Sequence, residues 1–366
     1  MAINYRAEII GSLLRPAYLK EARRAWEAGQ LSTLEFKRSE DRAVNAAIAL
    51  QEEAGLDIIT DGEMRRALFT GTLTEAIEGI SPAPGQPWHW FGPTPADEMD
   101  YQPPVSVTGR IRRRRSLATE EFAYARGQAH KPLKITLPSP MMLFFAWSPE
   151  HSKAAYKDPF ELFADATDIL RQEVHELSAL GCQYIQIDAP EVATLVDDFQ
   201  RRTAFEARGI STERMLNEGV EMLNALADAP GVTFGLHMCK GNNAGHWMSK
   251  GGYEAISKQV FRRVTKYHVF LLEYDDARSG SFEALRDIPR DKTVVLGLIS
   301  TKTNTLESAE GLISRIEEAS KYFPREQLAL SPQCGFASII TGNPISETTQ
   351  QTKLRLVADV AHRIWH

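Results

Sequence analysis

Apolar residues along this 366-residue chain gather into short, nearly continuous runs separated by longer stretches with helical spacing. Eight runs have the character of strands: AEIIGS (7–12), LDIITDGE (56–63), LKITLPSP (133–140), YIQIDAPE (184–191), VTFGLHMC (232–239), HVFLLEYDD (268–276), TVVLGLIS (293–300) and LALSPQCG (328–335). They lack the strict apolar–polar alternation of a half-exposed strand and read as parallel strands covered on both faces. The stretch STLEFKRSEDRAVNAAIALQEEAG opens on the capping box Ser32-x-x-Glu35 and stops at Gly55. FELFADATDILRQEVHELSALG is amphipathic and stops at Gly181, and NTLESAEGLISRIEEASKYF is expected to repeat the capping device with Asn304 and Glu307. Eight strands alternating with helices predict a single (β/α)8 TIM barrel over residues 1–366, in preference to a doubly wound sheet.

One segment breaks the rhythm. Residues 74–131, between the second and third predicted strands, contain SPAPGQPWHWFGPTPADEMDYQPP and are too long for an ordinary βα connection. They are expected to form an inserted excursion over the top of the barrel, as a lid or an interface arm, with VSVTGRIRRRR as one strand of a small hairpin. The basic cluster RIRRRRS (110–116) reads first as a solvated edge and second as an anion site.

Composition narrows the function classes. Lys and Arg total 42 against 48 Asp and Glu, a net charge of −6. Nucleic acid and anionic membrane are therefore not expected as partners. Three cysteines make no disulfide framework and suit a reducing compartment. The start, MAINYRAEIIGSLLRP, carries charges inside its apolar stretch and no signal-peptide core, so a cytoplasmic location is expected. The longest apolar run, MMLFFAW (141–147), is too short to span a bilayer.

In a barrel of this kind the strand C-termini share one face, where chemistry collects. GLHMC ends the fifth predicted strand, and residues two apart on a strand point the same way, so His237 and Cys239 can aim at one point. Glu273 ends the sixth strand and Cys334 the eighth. Singly, each is more often a packing residue than a ligand; together they form a plausible tetrahedral set, with Zn2+ as its natural occupant. Cys182, ahead of the fourth strand, fits no such pattern and is expected to be a small buried hydrophobe. Two thiolates and a carboxylate would leave Zn2+ near −1, poor at making hydroxide but suited to holding another thiolate. The inferred chemistry is activation of a thiol for attack on an alkyl carbon.

The stretches IIGSLLRP (9–16), LDIITDGEMRR (56–66), YIQIDAPE (184–191), GLHMCKGN (235–242), FLLEYDD (270–276) and LSPQCGF (330–336) make the chain resemble the cobalamin-independent methionine synthase family, in its catalytic C-terminal barrel, over nearly its whole length. The resemblance implies a zinc-dependent S-methyltransferase converting homocysteine to methionine. By motif, His237, Cys239, Glu273 and Cys334 take the zinc-ligand positions. Glu63 and Asp188 take those that hold the homocysteine amino group, and Gly11 and Ser12 match the segment that receives its carboxylate.

The chain also departs from the family's pattern. After the seventh strand it reads GLISTKTNTLES, with Ser300, Thr301 and Lys302 where the synthases carry a histidine that assists the folate leaving group. Its start reads IGSLLRP rather than IGSFPQT. The donor is thus open among methyltetrahydrofolate, methylcobalamin and an epoxide, with Lys302 as a possible proton donor or anion ligand. Two other functions compete. One is an epoxyalkane:coenzyme M transferase-like alkyltransferase, with Arg15, Arg65 and Lys240 as sulfonate candidates; the other is a non-catalytic zinc-binding barrel. His246, Trp247 and Trp147 are expected near the pocket or in packing roles, and Asp275 and Asp276 as turn caps. The oligomeric state is left open.

Overall fold

The computed structural model describes residues 5–116 and 118–365. Ten strands occur among them: β1 (Ile77–Pro82), β2 (Trp88–Trp90), β3 (Met99–Tyr101), β4 (Val105–Arg113), β5 (Ile135–Pro138), β6 (Tyr184–Asp188), β7 (Thr233–Met238), β8 (Val269–Glu273), β9 (Thr293–Ile299) and β10 (Leu328–Pro332). The last six form one parallel sheet in sequence order, β5 to β10, and all six are the apolar runs picked out above.

The first two predicted strands are present as segments of the same cylinder, but without ladders. Ala7 bridges Leu330 of β10, Asp57 N donates to Ala7 O (2.9 Å), and Ile59 bridges Leu133 just ahead of β5. Side chains satisfy backbone groups that a ladder would otherwise use. Asp57 Oδ2 accepts from Arg6 N and Ala7 N (2.7 and 2.9 Å). Gln51 bonds both N and O of Thr60 (2.9 and 2.8 Å), and Gln186 Nε2 donates to Ile10 O (2.9 Å). Inside the barrel, Ile10, Ile58, Tyr184, Val269, Leu271, Val295 and Ala329 pack together. Beside them a fully buried Lys134–Glu8 ion pair closes at 2.8 Å.

The helices follow their caps. Thr33–Glu53 begins on Ser32 with both bonds of the capping box made, and Pro159–Ala179 begins on Asp158. The third helix corrects its expectation: it runs Ala309–Ser320 with Ser308 as N-cap. Glu307 is drawn away to Ser300 N (2.9 Å) and Lys353 Nζ (3.0 Å), and Asn304 Oδ1 accepts from Ser346 N (3.0 Å).

The excursion carries two antiparallel pairs, β1 with β4 and β2 with β3. Two of the five arginines in its basic cluster pair with the barrel: Arg110 with Asp165 and Glu161, and Arg113 with Glu173 and Glu176, all on the helix Pro159–Ala179. Trp88 and Trp90 lie two apart on β2, are buried, and share a face; His89 between them faces the other way. Phe91 exchanges backbone hydrogen bonds with Trp247 (2.8 and 3.1 Å), Gln200 Nε2 donates to His89 O (2.9 Å), and Arg208 holds the carbonyls of Gln86 and Pro87. The β2–β3 pair is thus fastened to the loops around the strand C-termini. Among the described residues no helix is long and apolar enough to cross a membrane.

Candidate metal centre and its cavity

β7 ends by projecting His237 and Cys239 to one side, and the turn after β10 brings Cys334 to the same place. One ligand atom from each lies within 4.8 Å of the others, and all three residues are buried. His237 Nδ1 faces Leu271 O at 3.2 Å, which assigns the ring proton to Nδ1 and leaves the Nε2 lone pair free. Nε2 is buried without a hydrogen-bond partner. The two sulfurs stand 3.7 Å apart in hydrogen-bond contact; this pairing pulls the Cys334 thiol well below its usual range and drives Cys239 well above it. An unpartnered imidazole nitrogen beside two cysteine sulfurs is a donor set that a borderline-soft divalent ion fits. Asn242 fixes the spacing between the two cysteine loops, its Nδ2 donating to Gly335 O (2.8 Å) and Ser338 Oγ (3.1 Å).

Glu273, the fourth expected ligand, is buried at the end of β8 but stands outside this trio. Its Oε2 accepts from Lys240 N (2.8 Å), and its Oε1 faces Arg278 (3.2 Å) and Lys302 Nζ (3.9 Å). Lys240 Nζ lies over the Tyr253 ring at 3.7 Å, and burial lowers its pKa to about 8. Neither ammonium makes a hydrogen bond, so two cations sit in reach of the thiols and offset their charge.

A cavity of about 340 Å3 opens on His237, Cys239 and Cys334 and is also lined by Ser12, Glu63 and Asp188. Glu63 is held in an unusual backbone: its φ is +53°, directly after Gly62 at +70°. A left-handed glutamate costs on the order of 1–2 kcal/mol. The turn is secured by Asp61 Oδ1 accepting from Glu63 N (2.9 Å), and by Arg15 donating to the carbonyls of Leu13, Glu63, Arg66 and Ala337 at 2.6–3.0 Å. Glu63 Oε1 accepts from Thr136 Oγ1 (2.8 Å), while Oε2 is buried with no partner. Burial pushes this carboxyl up, against the pull of Arg66 and Arg15. Burial likewise pushes Asp188 up to about 7, against the nearby His237. An ammonium arriving between such carboxyls would restore their charge.

Gly11 is a close-approach site, since a Cβ there would overlap Glu63 Oε1. Gly11→Ala is therefore expected to displace that carboxylate and to weaken the binding of an ammonium-bearing ligand beside it at least about tenfold, roughly 1.4 kcal/mol. Calorimetric titration checks this; unchanged affinity would reject the contact.

Other expected residues fall elsewhere. Arg15, Arg65 and Lys240 do not line the cavity. Arg15 is spent on carbonyls, and Arg65 pairs with Asp41 and Glu40. Cys182 is buried, with its thiol pushed up to about 11 by that burial. Trp147 is core, its Nε1 on Arg208 O (3.0 Å). His246 links Asn243 O to Asp97 O (2.9 Å each), and Asp276 caps Arg278 N (2.8 Å). Asp275 is buried against Arg278 (3.4 Å). Sequence reasoning missed Trp88 and Trp90, which line the cavity, and the buried Arg66, which joins Glu63 (3.7 Å) to Glu121 (2.7 Å). The WHW alternation was the available signal for the first two; nothing local marks Arg66.

Residues 6–363 match the family model described as the cobalamin-independent synthase catalytic domain. A Bacillus subtilis protein of uncharacterised function, YxjH, is 34% identical over 99% of this chain and 95% of its own length. The methionine synthase of Saccharolobus solfataricus is 25% identical over 89% of this chain and 86% of its own. The structure of a putative vitamin-B12 independent methionine synthase from Listeria monocytogenes superposes with a TM-score of 0.74 at 27% identity, covering 100% of this chain and 99% of that one. A B12-independent methionine synthase from Shewanella sp. W3-18-1, in complex with selenomethionine, shares the fold at TM-score 0.75 and 24% identity, over 97% of this chain and 96% of that one. With its TIM-barrel fold and whole-length match, the chain belongs to the cobalamin-independent methionine synthase family.

Proposed function

We propose that this protein is a zinc-dependent S-methyltransferase that converts homocysteine to methionine. The observation that carries the reading is one cavity bordered at once by His237, Cys239 and Cys334 and by Glu63, Asp188 and Ser12. His237, Cys239 and Cys334 would hold the ion, and Glu273, held outside the trio by the Lys240 amide and Arg278, would complete the set only by turning toward it. Bound zinc would supply a centre that keeps a substrate thiol ionised at neutral pH, where a free thiol of pKa about 8.5 is ionised only to a few per cent.

The chain's own groups do the rest. His237 presents Nε2 because Leu271 O takes its Nδ1–H. Glu63 and Asp188 receive the ammonium, while Ser12 and the Gly11 backbone receive the carboxylate. Fixing the thiol and the methyl carbon in line removes orientational entropy from the barrier. The coenzyme M alternative finds no support, because none of its three proposed sulfonate ligands lines the cavity.

Calorimetry with zinc-loaded protein tests the reading, using buffers of different ionisation enthalpy to count protons. Homocysteine is expected to bind with release of one proton, and coenzyme M to give no heat. Tight binding of coenzyme M would reverse the substrate assignment. Silence from both would reject thiol activation. Homocysteine binding without methionine from any methyl donor would favour a non-catalytic barrel.

A further inference from the structure

The cavity has a second end. Beyond the cysteines it is walled by Trp88, Trp90 and Tyr101 of the β2–β3 pair and by Met142, Phe144 and Phe145 of the turn after β5. The register explains the wall: Trp88 stands opposite Tyr101 across the pair, and Trp90 opposite Met99, so these side chains share one face, on which Trp88 and Trp90 are buried and Tyr101 and Met99 are partly open to solvent. Trp88 packs on Phe144 (5.4 Å) and Tyr101 (5.6 Å) and already carries a cation, with Arg208 Cζ 5.4 Å from its ring centre. Trp90 is different. It lines the cavity, is 8% exposed, and among the described residues no aromatic ring or cationic side chain is stacked on it.

Charge adds a second constraint. Among the described residues no lysine or arginine lines the cavity; apart from His237, Cys239 and Cys334, its ionisable side chains are Glu63, Asp188 and the Tyr101 phenol. The aromatic end offers no cation to pair with an anionic tail and no acid stronger than a phenol. Lys302, the residue after β9 that could have supplied a proton, is directed at Glu273 and is absent from the lining.

We propose that the aromatic end is the methyl-donor site and that the donor is a methyl onium cation, its positive centre seated against Trp90. The proposal rests on the thiol-methyltransferase reading above. Aromatic faces attract methylated cations through the ring quadrupole, and most strongly when both are desolvated. The chemistry closes without an acid. The thiolate sulfur forms a bond to the methyl carbon, the bond from that carbon to the onium atom breaks, and its electron pair returns to the departing sulfur or nitrogen. That atom leaves neutral, as a thioether or amine, and the only proton released is the one the thiol lost on binding.

The test uses the full-length, zinc-loaded protein. A homocysteine titration with proton counting comes first, and its failure would defeat the methyltransferase reading itself. On homocysteine-saturated protein, trimethylsulfonium and tetramethylammonium are then compared with tert-butanol, a neutral probe of similar size. The cations are expected to bind about tenfold or more tightly than the alcohol, and trimethylsulfonium to yield methionine and dimethyl sulfide in equal amounts. Binding of both cations with turnover of the sulfonium alone assigns the donor to sulfonium chemistry; turnover of both widens it to ammonium. Trp90→Leu is expected to abolish the cation preference and Trp90→Phe to restore part of it, with the homocysteine titration of each variant reporting that the thiol site persists. Equal binding of cations and alcohol, or a preference untouched in Trp90→Leu, would overturn the proposal.

Discussion

Cys239→Ser is expected to strip the protein of zinc and of methyl transfer while leaving the barrel folded. A serine hydroxyl does not ionise near neutral pH and is a harder, weaker ligand than thiolate. Protein zinc sites bind with apparent free energies of about 10–16 kcal/mol. Losing one of three or four donors should thus cost several kcal/mol, at least about a thousandfold in affinity. The fold has less at stake: Cys239 lies at the end of β7, and its main side-chain partner is the Cys334 sulfur at 3.7 Å. Oxygen for sulfur there should cost on the order of 1 kcal/mol. Elemental analysis, thermal melting and methionine formation read the three quantities separately. A metal-replete, active Cys239→Ser protein would end the metal assignment.

Arg15→Met is expected to have the largest effect on stability. Arg15 is 2% exposed, and its guanidinium donates to four backbone carbonyls drawn from three loops: Leu13, Glu63 with Arg66, and Ala337. Methionine keeps much of the stem's volume but satisfies none of these acceptors. Four carbonyls left short in a buried site should cost roughly 3–5 kcal/mol, seen as a fall in Tm of about 4–7 °C. Homocysteine affinity should fall with it, since Arg15 pins the turn in which Glu63 adopts its left-handed backbone. A variant with unchanged Tm and affinity would show that the turn holds without this clamp.

The reading of Arg15 shows where sequence reasoning loses its grip. The arginine was visible beside a motif, but its use lies in carbonyls some 50 and 320 residues away, and a sulfonate site seemed as good a use for it. Local patterns carried the six parallel strands because burial on both faces leaves an unbroken apolar run, and they carried Ser32 because a capping box is made within one turn. His237, Cys239 and Cys334 were legible together because strand-end positions in a barrel share a face. Glu273 shared that face as well. Its orientation depends on Arg278, Lys302 and the Lys240 amide, competing partners that a strand-end rule does not contain. The same holds for Trp88 and Trp90: the alternation in WHW marks a face, but only the tertiary fold says that the face closes over the cysteines.

The uneven stitching of the cylinder divides the labour at its mouth. His237, Cys239 and Cys334 stand on or just beyond β7 and β10, which lie within the continuous ladder, so sheet hydrogen bonds fix the backbone that carries them. Ser12 and Glu63 ride on the two segments tied by solitary bridges and by the side chains of Asp57, Gln51 and Gln186. That sector is therefore held by polar side chains, Arg15 chief among them, so substitutions of those side chains should loosen Ser12 and Glu63 while leaving His237, Cys239 and Cys334 in place.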